Sequence, residues 1–153
     1  MKKKEEIYFA ASIRGGREDT AIYLSLIEHL GKYGPVLTEH IGDKWLSVRG
    51  EDGLGDVFIH DRDMAWLRRA KKIVAEVTQA SLGVGYEIGR TVERNLWVPR
   101  RERQSILCLY RPEVDRRLSA MIAGARSLLV REYRTIEEGC TLIDEFFKKP
   151  HNS

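Results

Sequence analysis

Short apolar runs alternate along this chain with longer stretches whose apolar positions recur every three or four residues. These are the patterns of buried strands and amphipathic helices. Ile7 to Ala11 reads as a first buried strand, and Glu18 to Tyr33 as a helix with Ile22, Leu26, Ile27 and Leu30 inward, stopped by Gly34-Pro35. Val36-Leu37-Thr38 is a short second strand. Asp56 to Ala70 is helical, with Ile59, Trp66, Leu67 and Ala70 on one side. Ile73 to Val77 is the third strand, Gly83 to Asn95 the next helix and Ile106 to Tyr110 the fourth strand. Leu118 to Ala123 is a short helix, Leu128 to Val130 a fifth strand, and Ile136 to Phe147 a closing amphipathic helix.

This alternation predicts an α/β fold: a five-stranded parallel sheet with right-handed crossovers and helices on both faces. The expected architecture is a single Rossmann-like domain over residues 1–153, with flavodoxin-like strand order 2-1-3-4-5 and frayed tails at 1–6 and 149–153. In that order the ligand crevice opens between strands one and three. Those two strands are followed by the two glycine-rich segments of the chain, so pattern and topology indicate one crevice.

Composition narrows the function classes. The chain has 42% hydrophobic and 32% charged residues, and its net charge of +3 is small and evenly spread, which argues against a nucleic-acid partner. No apolar stretch approaches the roughly 18 residues of a membrane span, and no signal peptide is expected. Cys108 and Cys140 lie in apolar segments without CxxC spacing, which suits thiols in a reducing cytoplasm better than a disulfide or metal site. Gly42 to Gly55 is long and polar enough to be a flap over the crevice. The basic insertion Trp97 to Gln104 is expected to be solvated and dispensable.

The candidate chemistry lies in two segments: Ser12-Ile13-Arg14-Gly15-Gly16-Arg17-Glu18-Asp19 and Ser81-Leu82-Gly83-Val84-Gly85-Tyr86-Glu87. Glycines and hydroxyls where a strand hands over to a helix make an anion site from freed N–H groups. Glu87 sits near a helix start, where a dipole-stabilising carboxylate is common and should remain ionised. Asp63 falls four residues after Ile59 and four before Leu67, on the inward helix face. An acid there is paired, hydrogen-bonded or functional; a neighbouring Arg is the plain structural explanation. Paired carboxylates suit glycosidic cleavage, one attacking the anomeric carbon and the other managing the leaving group's proton, with burial raising Asp63 towards the acid's role. A dinucleotide fingerprint is rejected because the last glycine of Gly83 to Gly89 is misplaced and the segment does not follow the first strand. The four histidines show no metal-ligand spacing, and GxSxG is absent. No metal or cofactor is expected.

At Tyr8-Phe9, Ser12 to Asp19, Leu37 to His40, Ile59-His60 with Asp63, Ala75 to Gln79, Ser81 to Glu87, Ile106 to Leu109 and Leu118 to Ile122, the chain resembles the 2'-deoxynucleoside 5'-phosphate N-hydrolases, relatives of the nucleoside 2-deoxyribosyltransferases. The resemblance implies a homodimer that cleaves the base from a deoxynucleoside monophosphate, in the cytoplasm or, in a eukaryote, also the nucleus. It implies Glu87 as nucleophile, Asp63 as the residue assisting base departure and Tyr8 as the tyrosine that orients sugar and nucleophile. Ala11, Ser12, Ile13, Arg14, Gly15, Gly16, Arg17, Ser81 and Gly83 become the substrate and phosphate cradle. Ser119, with Ala120 and Met121, reaches the phosphate from the neighbouring subunit; a serine capping its own helix is the structural alternative. Ala10-Ala11 departs from the family's more familiar Cys-Gly. The competing readings are a deoxyribosyltransferase using the same intermediate, a ribonucleotide hydrolase acting on CMP-type substrates, and a non-catalytic nucleotide sensor.

Overall fold

The computed structural model describes residues 4–13, 19–38, 53–113 and 115–149. The expectations for Arg14, Gly15, Gly16 and Arg17, for Glu39-His40 and for most of the segment from Gly42 to Gly55 lie outside the described residues. Four strands, Ile7–Ala10 (β1), Lys72–Glu76 (β2), Ser105–Tyr110 (β3) and Leu129–Glu132 (β4), form a parallel sheet in the order β1-β2-β3-β4.

Among the described residues the sheet has four strands, not the expected five. Val36 makes only an isolated parallel bridge to Ile7, on the edge of β1 away from β2. Ile7 N–H donates to Pro35 O and Leu37 N–H to Ile7 O, each at 2.9 Å. There the ladder stops, because Thr38 spends its side chain on the next rung. Its hydroxyl accepts from Phe9 N–H at 2.9 Å and donates to Phe9 O at 2.5 Å. Phe9's backbone polar groups are thus satisfied without a further strand residue. The turn into this edge needs Gly34, where a Cβ would lie 2.1 Å from the carbonyl oxygen of Glu5.

Helices cover both faces. Thr20–Leu30 (α1) and Ile136–Lys148 (α5) pack Tyr23, Leu26, Leu30, Ile143 and Phe146 against Ile7 and Phe9 of β1 and Val74 of β2. Asp56–Arg69 (α2) and Leu82–Trp97 (α3) pack Met64, Leu67, Val84 and Ile88 against the alternate residues Tyr8, Ala10, Ile73 and Ala75. A reciprocal capping box between Thr135 and Glu138 starts α5, and a four-residue helix, Ala120–Ala123 (α4), follows β3. Among the described residues, no helix is long and apolar enough to cross a membrane.

Two peripheral expectations change. The described part of the N-terminal tail is held: Glu6 takes the guanidinium of Arg69 and its carbonyl accepts from Lys71 N–H. The basic insertion forms a short 3-10 turn, Arg100–Glu102, with Trp97 exposed, but its last residue is integral to the fold. The Gln104 side chain is buried and donates to the carbonyls of Leu67 at 2.5 Å and Ala70 at 2.6 Å. Asn95 pairs with the Gln104 backbone through both its amide groups. Gln104 therefore ties α2 and α3 to the start of β3, which is not a dispensable role.

Candidate active site

Tyr8, Asp63 and Glu87 meet where β1, α2 and α3 converge. The Tyr8 ring is fully buried in the α2/α3 face of the sheet, and its hydroxyl donates to Glu87 Oε1 at 2.5 Å. Asp63 comes from α2 with a side chain 20% exposed. Its charge acts on both Tyr8 and Glu87. Arg62, for which the hydrophobic pattern gives no signal, donates to Asp63 Oδ1 through Nε at 2.9 Å and Nη2 at 2.8 Å. The Arg62 guanidinium also lies 4.6 Å from the Trp66 ring centroid, so Asp63 has the neighbouring Arg that a structural explanation requires, on a stacked platform.

The electrostatics of Glu87 differ from the expectation. It is the sixth residue of α3, and the first turn of that helix carries no acid, so the dipole does little to keep it ionised. The Glu87 carboxyl is pushed up to about 7, first by burial and also by the Asp63 carboxylate, against the downward pull of the Tyr8 hydrogen bond. Burial also raises the Tyr8 hydroxyl, with Glu87 adding to the shift, so Tyr8 is a donor rather than a phenolate. Tyr8 and Asp63 thus act on the Glu87 carboxyl in opposite senses. A carboxylate poised near neutrality, held in one orientation by a buried donor, can attack an electrophilic carbon or exchange a proton.

The cradle residues divide. Ser12 is fully buried just beyond β1. Ala11 is buried in the α1/α5 core, and Ile13 packs partly buried against it. Ser81 is the N-cap of α3, and its Oγ accepts from Val84 N–H at 3.3 Å. Its hydroxyl proton remains available to donate, as do the first amides of the helix around Gly83. Ser119 caps α4 in the same way, accepting from Met121 N–H at 3.3 Å. Ser81 and Ser119 line one cavity of about 400 Å³, with Gln79, Arg117 and Met121, on the side of α3 towards α4. Ser119, Ala120 and Met121 are exposed, and none of Tyr8, Asp63 and Glu87 lines the cavity that Ser119 shares with Ser81.

A second polar group occupies the other face of the same sheet edge. Glu76 is fully buried at the end of β2, bonded by the hydroxyls of Thr78 and, at 3.1 Å, Tyr133. Burial pushes its carboxyl up, against the pull of Thr78, Arg111 and Tyr133. The sequence carried a signal for it: an acid within the apolar run Ile73 to Val77. Among the described residues no group of three or more His, Cys, Asp or Glu is arranged to hold a metal.

The chain belongs to the nucleoside 2-deoxyribosyltransferase family, whose model matches residues 7–111. It is 56% identical over 120 residues to the 5-hydroxymethyl-dUMP N-hydrolase of Mus musculus, a match covering 78% of this chain and 65% of the mouse protein. With the protein of the same name from Esox lucius it shares 52% identity over 147 residues, covering 93% of this chain and 95% of the fish protein. A solved CMP N-glycosidase of Clostridium botulinum shares the fold, with a TM-score of 0.56 at 14% identity, over 93% of this chain and 99% of that one.

Proposed function

We propose that this chain hydrolyses the N-glycosidic bond of 2'-deoxynucleoside 5'-monophosphates, giving free base and 2-deoxyribose 5-phosphate. The observation that carries the reading is the Tyr8–Glu87 hydrogen bond of 2.5 Å beside Asp63, at the sheet edge where the Ser81 cap opens α3. The names of the mouse and fish relatives, which are N-hydrolases of a deoxynucleoside monophosphate, support it. In this mechanism a Glu87 carboxylate oxygen bonds to C1' as the C1'–N bond breaks and its electron pair leaves with the base. Asp63 assists that departure, and Tyr8 holds the attacking oxygen in line. Water then displaces Glu87 from C1', giving its hydroxyl to the sugar, while its proton passes by way of Asp63 to the nitrogen of the departed base, which leaves both carboxylates as they began. Phosphate recognition falls to Ser12, Ser81 and the amides near Gly83.

The test is base release from a panel containing 5-hydroxymethyl-dUMP, dUMP, dCMP, dGMP, CMP and UMP, with a competing free base in parallel. The deoxynucleotides should release base, and the added base should acquire no sugar. Transfer of deoxyribose to the added base without net hydrolysis would instead assign a transferase. Preference for CMP would move the substrate to the ribonucleotides.

The proposal includes a homodimer in which Ser119 reaches the neighbouring site. Met121 is 82% exposed and Leu82 97% exposed beside the cavity that Ser119 lines, an apolar rim suited to a second copy. Mixing Glu87→Ala with Ser119→Ala subunits should return activity above either variant alone, because one crevice of each heterodimer then keeps both residues. Demonstrated subunit exchange without any gain would place Ser119 in its own chain's site or outside catalysis.

A further inference from the structure

Glu76 belongs to a bonded group that the mechanism above does not use. The Thr78 hydroxyl that donates to Glu76 also accepts from the Arg111 backbone amide at 2.9 Å. The Arg111 guanidinium reaches the carboxylate of Asp19, and it lies 5.8 Å from the centroid of the Tyr133 ring whose hydroxyl bonds Glu76. The side chains of this ion pair are mostly buried, 15% exposed for Arg111 and 12% for Asp19. The residues that end or follow β2, β3 and β4 are thereby tied to the residue that opens α1.

Asp19 is the notable member. It stands at the N-cap of α1, where an aspartate ordinarily accepts from the helix's own amides, yet it makes no side-chain capping bond. Arg111 has drawn the carboxylate away. A buried ion pair that forgoes a helix cap is a weak source of stability. What the arrangement fixes is position: α1 begins at a set place over the ends of β2 and β3, while buried Ser12 sits at the exit of β1. It also neutralises a carboxylate at the edge that would receive a phosphate dianion. We propose that Arg111 is a positioning residue for the substrate's phosphate, acting through Asp19 and braced by Thr78, Tyr133 and Glu76. This inference rests on the monophosphate reading above.

The test compares wild type, Arg111→Lys, Arg111→Gln and Tyr133→Phe in hydrolysis of a deoxynucleoside monophosphate, with inhibition by 2-deoxyribose 5-phosphate and by phosphate-free 2-deoxyribose. Arg111→Gln should raise KM, and the inhibition constant of 2-deoxyribose 5-phosphate, by about 10–100-fold, with kcat changed less than about threefold. Inhibition by 2-deoxyribose should be unchanged. Arg111→Lys and Tyr133→Phe should give smaller shifts of the same kind. Adding Asp19→Asn to Arg111→Gln should recover part of the loss, because the unpaired charge is removed. Wild-type KM in a folded Arg111→Gln protein would overturn the proposal. So would parallel losses in kcat and in affinity for both sugars that track a lowered Tm, which mark a purely structural role. If Arg111→Gln does not fold, wild-type KM in both Arg111→Lys and Tyr133→Phe overturns it equally. Failure of the monophosphate reading is separately visible: wild type itself would then bind 2-deoxyribose 5-phosphate no better than 2-deoxyribose.

Discussion

Glu87→Gln is expected to reduce base release by at least ~10³-fold while making the folded protein more stable above neutral pH. The first effect follows because an amide keeps the shape of the side chain, and a partner for the Tyr8 hydroxyl, but cannot form the glycosyl-enzyme. The second follows from burial. The folded state holds the Glu87 proton up to about pH 7, against an ordinary value of 4.5. Between those values the native chain binds more protons than the unfolded one, so stability falls as pH rises through that window. Above it, the full cost of a buried carboxylate is present, of order 3 kcal/mol. Replacing Glu87 by Gln removes that cost at pH 8 and changes little at pH 4, so thermal melts of the two proteins should diverge as pH rises. The same titration sets activity. Wild-type kcat/KM should fall about tenfold per pH unit below neutrality, because only the ionised carboxylate attacks. A folded Glu87→Gln protein with near-normal turnover removes the covalent mechanism. A wild-type profile flat from pH 5 to 8 shows instead that Glu87 does not titrate where its surroundings place it.

The acids Asp63 and Glu87 were legible because each violates or punctuates a local pattern: one lies on an apolar helix stripe, the other follows a glycine-rich helix start. Such violations are local, and the sequence displays them. Their electrostatics were not legible. Glu87's carboxyl is raised by burial and by Asp63 of α2 and lowered by the Tyr8 hydroxyl of β1, effects that arise only when distant segments pack. Counting from the Ser81 cap would have placed Glu87 in the second turn, yet even that does not give the depth of burial. Arg62 is hidden for the opposite reason. An arginine beside an aspartate on a charged helix reads as solvated, and only its stacking on Trp66 shows otherwise. The missing fifth strand reflects a rule that pattern cannot carry. Val36 to Thr38 has the composition of a strand, but the Thr38 side chain replaces a backbone rung. Gln104 likewise is held through carbonyls 34 and 37 residues away.

Removing the 5'-phosphate from the substrate should lower kcat/KM by about 10²–10⁴-fold, an effect second only to loss of Glu87. Each charge-assisted hydrogen bond contributes about 1.5–3 kcal/mol, so two lost bonds already span that range. The donors follow from the cap chemistry of this chain. Ser81 Oγ accepts from Val84 N–H, which fixes the oxygen and leaves its hydrogen to turn outward. The first amides of α3 remain beside it at the positive end of a 16-residue helix. A neutral nucleoside leaves these groups facing water or each other, and its sugar loses the anchor that sets C1' against Glu87. The loss should therefore fall on kcat as well as KM, because misplacement of the reacting carbon costs rate and not only affinity. Added phosphite or inorganic phosphate should restore part of the rate with the nucleoside, by filling the vacated anion position. Equal kcat/KM for thymidine and its monophosphate would show that the serine caps are structural and that the chemistry is addressed to the sugar and base alone.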